Sequence, residues 1–227
     1  MNQVAENIER VRERMGKAAE RAGRSASDIV LLPVTKAVGP ERIEQALAAG
    51  VMILGESKVQ EAKQKIPLIS SRACWHLIGH LQTNKARDAV ALFELIHSVD
   101  SVKLAVELNK WAERAGKVQP ILLEVNVSGE AGKFGLPPAE LPGALDAISK
   151  LSRLEVCGLM TVPPFTEELE KARPHFRRLR ELLDTLGLRE LSMGMSHDFE
   201  IAIEEGATIV RIGTAIFGER KQHEPEE

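Results

Sequence analysis

Eight short apolar runs, each followed by a helix-like stretch, leave few folds open to this chain. The runs are Ile29–Thr35, Val51–Leu54, Trp75–Ile78, Leu95–Val99, Ile121–Val127, Leu154–Leu159, Glu190–Gly194 and Thr208–Ile212. The stretches between them are Pro40–Ala49, Lys58–Lys65, Asn84–Ala91, Val102–Ala115, Pro138–Lys150, Glu167–Leu186 and Asp198–Glu205. A strand that reaches the next through a helix runs parallel to it, with a right-handed crossover. Eight such units close naturally into a single α/β barrel of the (β/α)8, TIM type. A doubly wound open sheet competes for the same pattern, but the nucleotide-binding glycine fingerprint is missing after the first run. An additional helix precedes the barrel, with Val4, Ile8, Val11, Met15, Ala18 and Ala22 spaced by threes and fours along one face. Its expected role is packing across the barrel, with no chemistry of its own.

At 227 residues the chain buries a full core, and no linker or low-complexity segment divides it, so residues 1–227 read as one domain with Lys221–Glu227 as a solvated tail. The net charge of −3 offers no broad basic surface for nucleic acid. The N-terminus alternates Glu and Arg, unlike a secretory signal, and no apolar stretch approaches the roughly 20 residues that span a bilayer. Cys74 and Cys157 each lie at or inside an apolar run and read as reduced core thiols. These features together make a cytoplasmic protein the expectation.

Lys36 carries the chemistry. It ends the run Ile29–Lys36 at the mouth of an apolar strand, where loss of hydration would free the amine to attack a carbonyl, as in a Schiff-base lysine. In a barrel, the loops after the strands open on one face and active sites gather there. On that face the seventh run ends in Ser192-Met193-Gly194-Met195-Ser196 and the eighth in Arg211-Ile212-Gly213-Thr214. Loops at these two places commonly bind phosphate, so Ser196, Gly213 and Thr214 are candidate phosphate ligands. An amine opposite a phosphate cradle fits pyridoxal 5′-phosphate, and it also fits an aldolase acting on a sugar phosphate. Arg211 favours the first, because a pyridine nitrogen accepts a guanidinium N–H whereas an aldolase has no particular use for it. His76 and His80 lie four apart but on a strand and its loop, which breaks the helical metal-pair geometry, and no metal site is expected.

The blocks Val34-Thr35-Lys36, Gly55-Glu56, Trp75–Gly79 with Leu81–Lys85, Gly158-Leu159-Met160, Ser192–Ser196 and Val210–Gly218 together resemble the pyridoxal phosphate homeostasis proteins, the bacterial YggS and human PROSC types. The resemblance covers nearly the whole chain. It implies a single-domain barrel related to the N-terminal domain of alanine racemase, with the cofactor held as an aldimine on Lys36, its phosphate on Ser196, Gly213 and Thr214, and its pyridine nitrogen facing Arg211. Ser57 stands where the family commonly has Asn, and a serine hydroxyl is shorter and donates one hydrogen rather than two. Lys133, in Gly132-Lys133-Phe134-Gly135, matches a loop lysine of the family and is a candidate second amine for arriving or leaving cofactor. Met195 and Met193 are expected to fill space beside the ring, and His76 is a further candidate contact.

A racemase needs a base on each face of the reacting carbon. Alanine racemases use a lysine and a tyrosine, whereas this chain has no tyrosine, and nothing in the sequence sets His197 or a cysteine opposite Lys36. A guanidinium beside the pyridine nitrogen also disfavours the protonated ring that most pyridoxal chemistry uses as an electron sink. The expectation is therefore a monomeric cofactor-binding protein without a catalytic reaction of its own, whose partners are pyridoxal phosphate and, in turn, apo-enzymes that need it. A pyridoxal-dependent racemase or lyase is the alternative, and a Schiff-base aldolase the next.

Overall fold

The computed structural model describes residues 2–70 and 72–219, so the tail expected at Lys221–Glu227 lies outside the described residues. Strands and helices alternate: α1 Gln3–Arg21, β1 Val30–Pro33, α2 Pro40–Ala48, β2 Ile53–Glu56, α3 Val59–Lys65, β3 Cys74–Leu77, α4 Ala86–Leu92, β4 Leu95–Val99 and α5 Val102–Arg114. The second half continues with β5 Gln119–Glu124, α6 Leu141–Ser149, β6 Leu154–Met160, α7 Arg173–Leu186, β7 Glu190–Met195, α8 Phe199–Glu204, β8 Ile209–Ile212 and α9 Thr214–Phe217. All pairings are parallel, in the order β1-β8-β7-β6-β5-β4-β3-β2. The ring closes between β1 and β2 through one bridge, Val34 to Gly55, and the Thr35 N–H donating to Gly55 O at 2.8 Å. This seam is much thinner than the ladders elsewhere.

The expected elements are present, with the short α9 and, among the described residues, four 3-10 turns in addition, at Ala26–Asp28, Ile66–Leu68, Thr83–Lys85 and Leu169–Ala172. The short α9 follows β8, and a 3-10 turn at Leu169–Ala172 precedes α7 where a continuous helix was expected from Glu167. Pro174 explains the break: it lies in the first turn of α7, where proline is tolerated, but further inside a longer helix it would clash. Helix α1 buries Val4, Ile8, Val11, Met15, Ala18 and Ala19, the last in place of Ala22, which falls at the C-cap. It packs on α8, α9 and α2, and Asn7 Nδ2 donates to Ile216 O at 2.7 Å. Neither cysteine is a core thiol. Cys74 is exposed at the start of β3, and Cys157 is half-buried where the β5–β6 register slips; both are unpaired.

The barrel interior is built in two levels. Leu32, Leu95, Leu122, Met160 and Ile209 form an apolar floor. Because side chains alternate with a period of two along a strand, the residues two further on share that inward direction nearer the mouth. In three strands these are polar: His97 above Leu95, Glu124 above Leu122 and Arg211 above Ile209. Each is more than nine-tenths buried. The sequence thus places an ionisable layer directly beneath the face where the loops gather.

Candidate functional site

Lys36 is half-buried in a turn three residues beyond the end of β1, not on the strand itself. Its neighbour Ala37 has φ +57°, a left-handed conformation unusual for a residue with a Cβ. The turn is held from below. The Ala37 N–H donates to Glu61 Oε1 at 2.6 Å. Lys65 Nζ donates to Thr35 O at 2.7 Å, to Glu61 Oε1 at 2.7 Å and to Glu56 Oε2 at 2.8 Å. Glu56 is fully buried and also accepts from Thr35 Oγ1 at 2.8 Å and from the Ser57 N–H at 2.6 Å. A buried ion pair therefore fixes both the backbone that presents Lys36 and the β1–β2 seam.

A cavity of about 360 Å³ gathers Lys36, Ser57, Met195, Ser196, Arg211, Gly213 and Thr214. That volume lies within the roughly 300–1,000 Å³ of small-molecule sites. Ser196 Oγ accepts from the Gly213 N–H at 3.2 Å and from the Ala215 N–H at 3.3 Å, tying the loop after β7 to the start of α9. Gly194, at φ +88° within β7, serves the close packing of the strand on α8 rather than a ligand: a Cβ there would sit 2.5 Å from the Ala202 Cβ. The β7–β8 register shifts between Ser192 and Met195, and this irregularity aims Met195 and Ser196 at the mouth. Met193, by contrast, is buried in the core outside the barrel and is not a ring contact.

Arg211 is fixed by its own hydrogen bonds. Nη1 donates to Ser192 Oγ at 2.7 Å and Nη2 to Thr161 O at 2.9 Å. Burial lowers its pKa to about 10, with Asp198 and Glu124 opposing, so the guanidinium stays charged at neutral pH. The chain of contacts continues across the barrel, from Ser192 Oγ to His97 Nδ1 at 2.8 Å and from His97 Nε2 to His76 Nδ1 at 3.0 Å. Burial pushes His76 down to about 4 and His97 well below the ordinary imidazole value, with His76 and Arg211 adding to the shift of His97. Both rings are then neutral. The tautomers that satisfy every group have Ser192 O–H donating to His97 Nδ1, and His97 Nε2–H donating to His76 Nδ1. His76 therefore lies beneath the site, off the cavity wall, and reaches Arg211 only through two intermediaries.

The buried imidazoles have a consequence in acid. The unfolded chain takes up protons near pH 6.5 and the folded one does not, so stability falls as pH drops from 6.5 towards 4, by on the order of 3 kcal/mol at most for His76. Melting temperatures measured over that interval should fall less steeply for His76→Gln than for the wild type. Parallel slopes would count against the assignment.

Two further candidates fall elsewhere than expected. Lys133 lines a second cavity of about 580 Å³ beside the first, and its Nζ lies 2.6 Å from Glu130 Oε2. His197, for which the sequence offered no position, lines the Lys36 cavity, with Nε2 3.1 Å from Thr166 O. Sequence reasoning missed Lys65, Glu56, His97 and Glu124 as parts of the site. For the last two the signal was present, as a polar residue breaking an apolar strand: His97 in Leu95–Val99 and Glu124 in Ile121–Val125. Among the described residues no helix is long and apolar enough to cross a membrane, and no group of three or more His, Cys, Asp or Glu is placed to hold a metal ion.

Against known proteins, residues 1–221 match the alanine racemase N-terminal domain family. The chain is 48% identical over 225 residues to the pyridoxal phosphate homeostasis protein of Aquifex aeolicus (strain VF5), covering 96% of this chain and 99% of the relative. It is 44% identical over 230 residues to the protein of the same name from Pseudomonas aeruginosa, covering 99% of each. Among solved structures, PipY of Synechococcus elongatus PCC7942, described with PLP bound, superposes with a TM-score of 0.83 at 34% identity over 95% of this chain and 100% of that one. With an eight-stranded barrel and near full-length identity of this order, the chain belongs to the alanine racemase N-terminal domain family and, within it, to the pyridoxal phosphate homeostasis proteins.

Proposed function

We propose that this protein binds pyridoxal 5′-phosphate and takes part in keeping its free level in balance, without catalysing a reaction of its own. One observation carries the reading: a single cavity brings together an amine at Lys36, a loop of backbone N–H groups and hydroxyls at Ser196, Gly213 and Thr214, and a buried guanidinium at Arg211. When bound, the cofactor supplies an aldehyde that condenses reversibly with amines. Lys36 is the attachment point. Ser196, Gly213 and Thr214 hold the phosphate, and Arg211, with donors to spare beyond Ser192 and Thr161, faces the pyridine nitrogen. Ser57 and Met195 flank the ring, and Lys133 stands on the adjoining rim as the second amine. The names of the relatives and the PLP-bound PipY support the choice of cofactor.

The absence of tyrosine supports a carrier over a racemase. The alternative has one observation in its favour, His197 on the wall of the Lys36 cavity, which offers an imidazole as a second base. The carrier reading extends to a monomer of one domain that works in the cytoplasm and serves apo-enzymes that require the cofactor, in keeping with the unpaired cysteines and modest acidic charge.

Purified protein mixed with pyridoxal phosphate is expected to be yellow, to lose its visible band with borohydride and to carry the reduced adduct on the Lys36 peptide. Colourless protein, or label spread over surface lysines, would sink the reading. L-Alanine incubated with the loaded protein is expected to keep its chirality; racemisation lost in His197→Asn would select the enzyme instead.

A further inference from the structure

The larger cavity is not explained by the cofactor reading. It shares Ile78, Val162, Met195 and His197 with the Lys36 cavity but extends away from it, beneath the loops after β3, β5 and β6. Its polar feature is Glu124, which ends β5. The side chain is more than nine-tenths buried, and Oε2 is buried with no hydrogen-bond partner among the described residues. A buried, unpartnered carboxyl oxygen is costly to leave bare, and one on a cavity wall is open to a ligand that donates to it.

Charge decides what kind of ligand. Asp198 lines the same cavity, and Asp100 lies close enough to Glu124 to oppose its ionisation, with its Oδ2 3.1 Å from His80 Nδ1. The facing cations are bonded elsewhere and leave Glu124 Oε2 unpartnered among the described residues: Arg211 donates to Ser192 and Thr161, and Lys133 pairs with Glu130. His76 and His97, in the same interior layer, are neutral. The cavity therefore holds an excess of acid with one carboxyl free to accept. Its walls are flat and apolar. The rings of His80 and Phe134 stack at 3.6 Å and 11°, the Phe165 and His197 ring centres lie 5.4 Å apart, and Pro163 and Pro164 also line the cavity. Phe165 is 80% exposed and Phe134 54%, so the aromatic rim stands open.

We propose that this second cavity binds an organic ammonium ion with an aromatic or otherwise flat apolar body, its N–H donating to Glu124 and its body lying between Phe134 and Phe165. Face-on aromatic contact adds cation–π attraction to the ionic hydrogen bond. The site stands on its own residues and adjoins the one proposed for the cofactor, so an amine bound there waits beside Lys36.

The probe is N,N-dimethylbenzylamine, a tertiary amine that carries one N–H when protonated and forms no imine with an aldehyde, so binding is read apart from any exchange at Lys36. Calorimetric titration at pH 8 is expected to show binding to the wild type and to Lys36→Ala alike, which separates this site from the cofactor assignment. Glu124→Gln is expected to weaken it about tenfold or more, the scale of a hydrogen bond to a charged group. Benzyl alcohol, which shares the benzyl body but is uncharged, is expected to bind weakly and equally to both. Burial and Asp100 raise the Glu124 carboxyl to about 7, against the pull of Arg211, so wild-type affinity should fall several-fold at pH 6, with no such fall in Glu124→Gln. Phe134→Ala, on the exposed rim where folding is not at stake, is expected to lose affinity a few-fold. No binding to the wild type, equal affinity for wild type and Glu124→Gln, or benzyl alcohol binding as well as the amine would each overturn the proposal.

Discussion

Lys65→Met is expected to destabilise the protein by about 3–5 kcal/mol, the cost of breaking a buried ion pair from one side. Lys65 is 7% exposed and Glu56 fully buried, so removing the ammonium strands a carboxylate with no water to take its place. The Thr35 hydroxyl and the Ser57 N–H remain to Glu56, but they are neutral donors and do not replace a charge. For a chain of this size the loss corresponds to a fall in melting temperature of roughly 6–20 °C. The double variant Glu56→Gln/Lys65→Met should recover part of it, because the stranded charge is then gone. Thermal unfolding of both variants checks this. A loss under about 1 kcal/mol in Lys65→Met would mean that the pair is not the anchor described. The surviving folded fraction should also take up pyridoxal phosphate less readily, since Thr35 O and Glu61, which shape the Lys36 turn, have lost their common partner.

Gly158→Ala is expected to prevent folding or to cost at least the roughly 3 kcal/mol at the top of the overpacking range. A Cβ at Gly158 would sit 1.9 Å from Glu190 O and 2.6 Å from Glu190 C. Most core clashes are relieved by a rotamer change, but here the obstacle is the backbone of the neighbouring strand in the β6–β7 ladder, with Gly158 opposite Glu190. Moving it would shift β7, which delivers Ser192, Met195 and Ser196 to the site. Circular dichroism of the purified variant and its yield of soluble protein decide the matter; a melting curve within a few degrees of wild type would refute the clash.

These two residues show where a sequence stops being legible. The barrel was readable because its evidence is local and repeated: apolar runs of strand length, helices between them, and turn residues at their ends. That Lys36, Ser196, Arg211, Gly213 and Thr214 come together in one cavity was readable because they stand at the ends of those runs on one face of the barrel. Lys65 was not. In the stretch Lys58–Lys65 it looks like one of several solvated lysines, and only the packing of α3, which turns Val59, Ala62 and Lys65 inward, brings it under Thr35 and Glu56. The pairing of His97 with Ser192 was hidden similarly, because the two stand 95 positions apart in the chain and only folding sets them 2.8 Å from each other. The placing of both cysteines in the core failed for a related reason: an apolar neighbourhood in sequence says nothing of whether a strand's first residue is covered, and Cys74 is exposed.

The thin β1–β2 seam carries a thermodynamic consequence. Where seven neighbouring pairs are stitched by ladders, this one is joined by one bridge and a backbone hydrogen bond, supplemented by the Thr35 side chain. Lys36 follows β1 and Ser57 follows β2, and both line the same cavity as the loops after β7 and β8. A ligand that reaches from Lys36 to Ser57 spans the weakest joint in the ring and acts as its missing staple, whereas its contacts to Ser196 and Gly213 lie on the side that the β1–β8 and β7–β8 ladders already hold. Occupancy and ring closure are then linked functions, so filling the site adds RT ln(1 + [L]/Kd) to the stability of the barrel, and loosening of the seam draws on the same free energy that holds the ligand.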